Sequence, residues 1–104
     1  MDITKHKTIY HICASTSWQV QGRSRYYVHS SLATEGFIHT CTKEQEAGVL
    51  ERYFASTEGL LRLHIDVSKL DAELVYELAP SVHEEFPHIY GPISKSAIVH
   101  VESV

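Results

Sequence analysis

The chain has 104 residues, 43% of them hydrophobic, and a formal charge of -4 with neutral histidines. That size and balance fit one compact domain, residues 1–104, with a real core but little stability to spare. They argue against a broad nucleic-acid surface, against a membrane span, since no apolar run approaches roughly 18 residues, and, with two cysteines, against a disulfide scaffold.

Residues 8–13 are β-branched and aromatic and predict a strand. Ser15, Thr16 and Ser17 offer N-caps for a helical turn over residues 18–20, which Gln21-Gly22 ends. Residues 23–31 are polar and aromatic without a period and read as a loop, with a short strand at residues 26–28. Gly36 marks a turn, and residues 37–41 form the next strand. Thr42 and Gln45 fit a capping box that opens a helix to about Phe54, with Ala47, Val49, Leu50, Tyr53 and Phe54 at helical spacing. Strands follow at residues 60–66, 74–79 and 97–101, with residues 80–92 left outside any strand. Irregular alternation of strands and helices predicts an α+β fold with a small, mixed or largely antiparallel, split sheet and one main helix.

Two short patterns stand out, His11-Ile12-Cys13 and His39-Thr40-Cys41. Residues two apart on a strand share a face, so each histidine points the same way as its cysteine. If the strands are close, two imidazoles and two sulfurs line one pocket. His88 and Tyr90 are expected to be presented by a rigid bend between Pro87 and Pro92. Of the eight histidines, His6, His64 and His100 are expected to face water or polar neighbours and receive no role. Arg23 and Arg25 are the local cations for a small anion. The charged stretch 1–7 lacks the apolar segment of a secretory signal, so a cytoplasmic setting and reduced thiols are expected.

Ile9-Tyr10-His11-Ile12, Trp18, Glu35-Gly36-Phe37-Ile38-His39 and Phe86-Pro87-His88-Ile89-Tyr90-Gly91-Pro92-Ile93 together resemble the family known as domain of unknown function 952, over nearly the whole chain. The resemblance implies a small bacterial cytoplasmic domain of the ADP-ribosyltransferase-like fold group, a split sheet cradling NAD. It also implies Thr or Ser in relatives where this chain has Cys13 and Cys41, which weakens any role for sulfur. On this reading His11 and His39 are the catalytic pair, His11 holding the ribose. His88 and Arg25 contact the ligand, and Tyr27, Phe37 or Tyr90 supplies a stacking face. NAD is then a substrate and not a resident cofactor, and no metal takes part. The usual ribose-holding carboxylate has no clear motif, with Glu77, Glu84 and Glu85 as candidates.

Other chemistries remain open for the same residues. The His-x-Cys pairs could form a Cys₂His₂ zinc set, but the spacing is not that of a usual zinc signature. Strand-edge histidines often only satisfy buried polar groups. A cysteine nucleophile would need a cross-strand histidine, since neighbours on one strand face stand about 7 Å apart. A non-catalytic module holding a small metabolite or a peptide would use the same cleft. The expected partner is thus a small nucleotide-type ligand.

Overall fold

A computed structural model describes residues 6–104, so the first five residues of the charged N-terminal stretch lie outside the described part. Among the described residues eight strands pair in three small sheets: β1 (Thr8–Ala14), β2 (Tyr26–Tyr27), β3 (Ile38–His39), β4 (Leu60–Asp66), β5 (Glu73–Ala79), β6 (Glu84–Tyr90), β7 (Ile93–Ser94) and β8 (Ile98–Ser103). The orders are β1-β4-β8, β2-β7 and β3-β6-β5. Every one of these pairings is antiparallel, where a mixed sheet was also expected. The split and the α+β class stand. A two-way backbone bridge joins the first and third sheets: Tyr10 and Cys41 exchange N–H···O bonds of 2.8 Å.

The helices are short: α1 (Ser15–Gln19), α2 (Ser31–Glu35) and α3 (Glu46–Tyr53). None of the described helices is long and apolar enough to cross a membrane. The capping box forms as expected, Gln45 Oε1 accepting from Thr42 N–H and Thr42 Oγ1 from Gln45 N–H. It closes a turn at residues 43–45, however, and the regular helix starts one residue later, at Glu46. The expected loop before β3 contains α2, which ends at Gly36 in the left-handed region (φ 91°), a conformation that glycine adopts without steric cost.

The largest departure is β6. The segment expected as a rigid bend is a full strand, and it lies in the middle of its sheet with Pro87 inside it. Proline lacks the N–H that a central strand normally donates. The fold accommodates it by stopping β3 at His39. Thr40, next in line, gives both its N–H (3.2 Å) and its hydroxyl (2.6 Å) to the Pro87 carbonyl, and needs nothing in return from the ring nitrogen.

The sheets meet over one core, in which Ile9, Tyr27, Ile38, Leu63, Ile65, Ile89 and Ile93 are fully buried. On β4 the alternation expected from the sequence puts Leu63 and Ile65 inward and leaves His64 partly open. Burial of each such side chain contributes roughly 1.5–3 kcal/mol. This core fixes the distance between β1 and β3, and that distance makes the site.

Candidate functional site

A cavity of about 360 Å³ opens between the first and third sheets, with α3 as one wall. His11, His29, His39 and His88 all line it, among Tyr10, Val49, Tyr53, Phe54 and Phe86. The three histidines singled out by sequence therefore meet at one concave surface. The helical spacing of Val49, Tyr53 and Phe54 serves this wall, since no α3 side chain is buried in the core.

His11 forms the floor and is 2% exposed. Its Nδ1–H donates to the His39 carbonyl at 2.7 Å, which leaves Nε2 to accept from the Tyr27 hydroxyl at 2.8 Å. Burial lowers its pKa to about 4, with the bond to the His39 carbonyl opposing and nearby His29 and His39 adding. His11 is thus a neutral imidazole with both nitrogens taken. The Tyr27 hydroxyl also meets the Cys13 thiol; burial raises both pKa values. Burial likewise pushes Cys41 up to about 12, with Glu46 adding and Arg62 opposing. Both cysteines are free and buried, and neither is a ready thiolate nucleophile. His11 and Cys13 do share a face, but Cys13 lies in the core and not on the cavity wall.

The rim is different. His39 and His88 face each other across β3 and β6, with ring centroids 5.3 Å apart. Phe37 stacks on His88 at 4.0 Å and 14°, and Tyr90 leans on Phe37 at 5.4 Å. His88 Nδ1 bonds Glu77 Oε1 at 2.7 Å, and the Tyr90 hydroxyl donates to the same oxygen. The Tyr90 and His88 contacts hold the Glu77 carboxyl below its usual range, and Glu77 raises Tyr90. His39 Nε2 bonds Glu35 at 3.1 Å. His29 Nδ1 accepts the Ser31 N–H at 3.1 Å, and burial lowers its pKa. Among the described residues, none bonds the second nitrogen of His29, His39 or His88.

A carboxylate that takes Nδ1–H fixes the tautomer and leaves Nε2 as a lone-pair base. His88 with Glu77 has that form. His29, with Nδ1 accepting, carries its proton on Nε2 and can donate. The cavity therefore holds a base and a donor against an aromatic wall.

Several expected roles are relocated. Tyr27 is fully buried in the core and offers no face to a ligand. Arg25 is exposed and does not line the cavity; its carbonyl accepts from Lys95 N–H beside β2. Phe37 and Tyr90 back the rim through His88. Of the candidate carboxylates, Glu77 reaches a site histidine, while Glu84 and Glu85 begin β6 at its exposed end. His29 was missed because it sits in a stretch without period; its neighbour Ser31, the start of α2, was the available signal. His6 bonds the Tyr76 hydroxyl at 3.0 Å and is not simply solvated.

The fold matches solved structures of protein CC0527 from Caulobacter crescentus. Its crystal structure superposes with a TM-score of 0.81 at 23% identity, covering 92% of this chain and 84% of that one. Its solution structure gives 0.79 at 22% identity, covering 95% and 85%. No curated protein matches the chain. The family described as Protein of unknown function (DUF952) matches residues 12–101, and the chain belongs to that family.

Proposed function

We propose that the cavity binds the nucleoside end of an NAD- or ADP-ribose-type nucleotide, in an ADP-ribosyltransferase-like cleft, and that it transfers or hydrolyses the ribosyl bond without a metal. One observation carries this reading: three imidazoles anchored at one nitrogen, each with the other nitrogen unpaired, ring an aromatic cavity. A ribose brings hydroxyls that match such donors and acceptors, and a heteroaromatic base matches Tyr53, Phe54 and Phe86. Among the described residues no lysine or arginine lines the cavity, so the phosphates would extend toward solvent. The volume of about 360 Å³ suits a nucleoside and not a whole dinucleotide.

In this mechanism the ribosyl C–N bond of a nicotinamide nucleotide breaks, nicotinamide leaves as the neutral base, and His88, oriented by Glu77, takes the proton of the water or acceptor hydroxyl whose oxygen bonds to the ribosyl carbon. Glu77 stands behind His88, outside the cavity lining, so its negative charge would act on the ligand through the His88 ring. His39 contacts the ligand at the rim. His11, which the sequence reading made catalytic, acts here as a positioning residue, because its Nδ1 bond ties the floor to the β3 backbone.

Calorimetry with nicotinamide riboside, NAD and ADP-ribose tests the reading. Binding should be detectable, and His88→Ala should weaken it about tenfold, near the ~1.5 kcal/mol of a hydrogen bond to a charged group. Nicotinamide release followed by chromatography tests catalysis separately. Binding without release would make the domain a non-catalytic module. No binding of any of the three at millimolar concentration would remove the nucleotide reading.

A further inference from the structure

The second histidine group lies on β4 and β8, outside the cavity. His64 and His100 are directly opposed in the strand register, and Arg62 opposes Glu102 in the next row. Residues two apart on β8 share a face, so His100 and Glu102 project together beside His64. The nitrogens of His64 and His100 and a Glu102 oxygen all lie within 4.8 Å of one another. His64 Nε2 is 2.5 Å from Glu102 Oε2, and His100 Nε2 is 3.9 Å from Glu102 Oε1.

We propose that His64, His100 and Glu102 form a binding site for a divalent transition ion of the zinc class, with an open position toward solvent. Two imidazoles and one carboxylate are a donor set that zinc takes in three-ligand sites. Ligand atoms at about 2.1 Å from a tetrahedral ion stand about 3.4 Å apart. From the present separations, the His64–Glu102 contact opens by roughly 1 Å and His100, whose side chain is 59% exposed, turns inward to meet the ion. The ion would take the place of the hydrogen bond between His64 Nε2 and Glu102, with the imidazole N–H on Nδ1.

The surroundings favour a cation. Arg62 would otherwise repel one, but its Nε and Nη2 are clamped by Glu46, while its Nη1 donates to Glu102 at 3.0 Å. Glu46 and Glu102 against Arg62 leave one negative charge unmatched when the histidines are neutral. Arg62 then acts as the outer partner that orients the ligating carboxylate. The Tyr10 ring meets His64 edge-on at 4.9 Å and fixes its plane. Tyr10 also lines the nucleoside cavity, so the two sites are neighbours across one side chain. This departs from the expectation that His64 and His100 have no role and that the chain carries no metal.

The test is titration of chelator-treated full chain with zinc chloride by calorimetry, and with cobalt(II) chloride by visible absorption. One ion per chain and the intense d–d bands of a low-symmetry, four-coordinate cobalt site are expected. His100→Ala, on an exposed side chain that folding does not need, should weaken binding by more than the ~10–100-fold of an outer-partner change. Glu102→Gln should do the same. His39→Ala and His88→Ala should bind as wild type. Equal affinity for wild type and His100→Ala, or loss of binding in the cavity variants instead, would overturn the site, as would no saturable binding of either metal.

Discussion

His11 and His88 line the same cavity, yet their surroundings give them opposite characters. His11 is buried, neutral, and bonded at both nitrogens to uncharged partners, a carbonyl and a hydroxyl. His88 is backed by a carboxylate at one nitrogen and unpaired at the other. The first ring has become part of the framework that joins β1 to β3; the second keeps a nitrogen for a ligand. An imidazole's task follows from the charge and number of its partners more than from its place on a cavity wall. The His64–His100 pair makes a third case, in which two rings meet edge-on at 4.8 Å and share one carboxylate neighbour.

If that contrast holds, removing the floor costs far more stability than removing the rim. His11→Ala should destabilise by about 3–5 kcal/mol, since it opens a cavity and strands the Tyr27 hydroxyl and the His39 carbonyl. His88→Ala should cost less than about 1 kcal/mol, because a half-open ring leaves its partners in contact with water. Urea unfolding of the two variants measures both. Similar losses for the two would erase the distinction between framework and rim.

Acid should reveal the same floor residue. In the unfolded chain His11 titrates near the ordinary histidine value of 6.5; in the fold it does so only at about 4. The unfolded state therefore binds more protons between these values, and stability falls as pH drops through that window. Above the unfolded pKa the loss is absent, and below the folded pKa it is complete, at about 3 kcal/mol. Glu77 and Glu102, with pKa values held down by their partners, add losses of the same sign at lower pH. Urea midpoints measured from pH 7 to pH 4 should decline steadily, and the His11 ring protons should show a neutral imidazole by NMR at pH 5. A flat profile would mean that His11 is not buried as a neutral ring.

Tyr27→Phe sharpens the point by removing one atom. It leaves His11 Nε2 without its donor and Cys13 without its oxygen partner, while the ring volume is kept. A loss of about 1–3 kcal/mol is expected, the cost of one buried unsatisfied acceptor. Thermal unfolding should show it, with no change in nucleoside affinity, since Tyr27 does not line the cavity.

How far these roles could be read from sequence depends on whether they were local. The strand over Leu60–Asp66 was legible because Leu61, Leu63 and Ile65, alternate residues of its sequence, all pack on the core. The Thr42–Gln45 box was legible because both bonds lie within four residues. Pro87 misled because a proline normally marks the end of a strand; the compensation comes from Thr40, far away in the chain. The approach of His11 and His39 followed from strand-face logic once β1 and β3 were adjacent, whereas His88, expected on a bend, arrives on the central strand β6. Their different hydrogen-bond partners did not, because the Tyr27 and Glu77 contacts are set by tertiary packing. For the same reason the pairing of His64 with His100 needed the β4–β8 register, which no local motif encodes.

The smallest effect belongs to Glu35. It lies four residues from His39, at the end of α2, and bonds Nε2 at 3.1 Å. The side chains are 49% and 54% exposed, so water and salt screen the pair and both retain solvent partners when it breaks. Glu35→Gln should change stability by less than about 0.5 kcal/mol, and added salt should shrink even that. The amide can still accept from or donate to the ring, so His39 stays near its place at the rim and nucleoside affinity should move less than for His88→Ala. Urea unfolding at low and high salt, with calorimetry on the same variant, makes the comparison. A loss approaching that of His11→Ala would show that the rim, like the floor, is part of the framework, and the division between the two would fail.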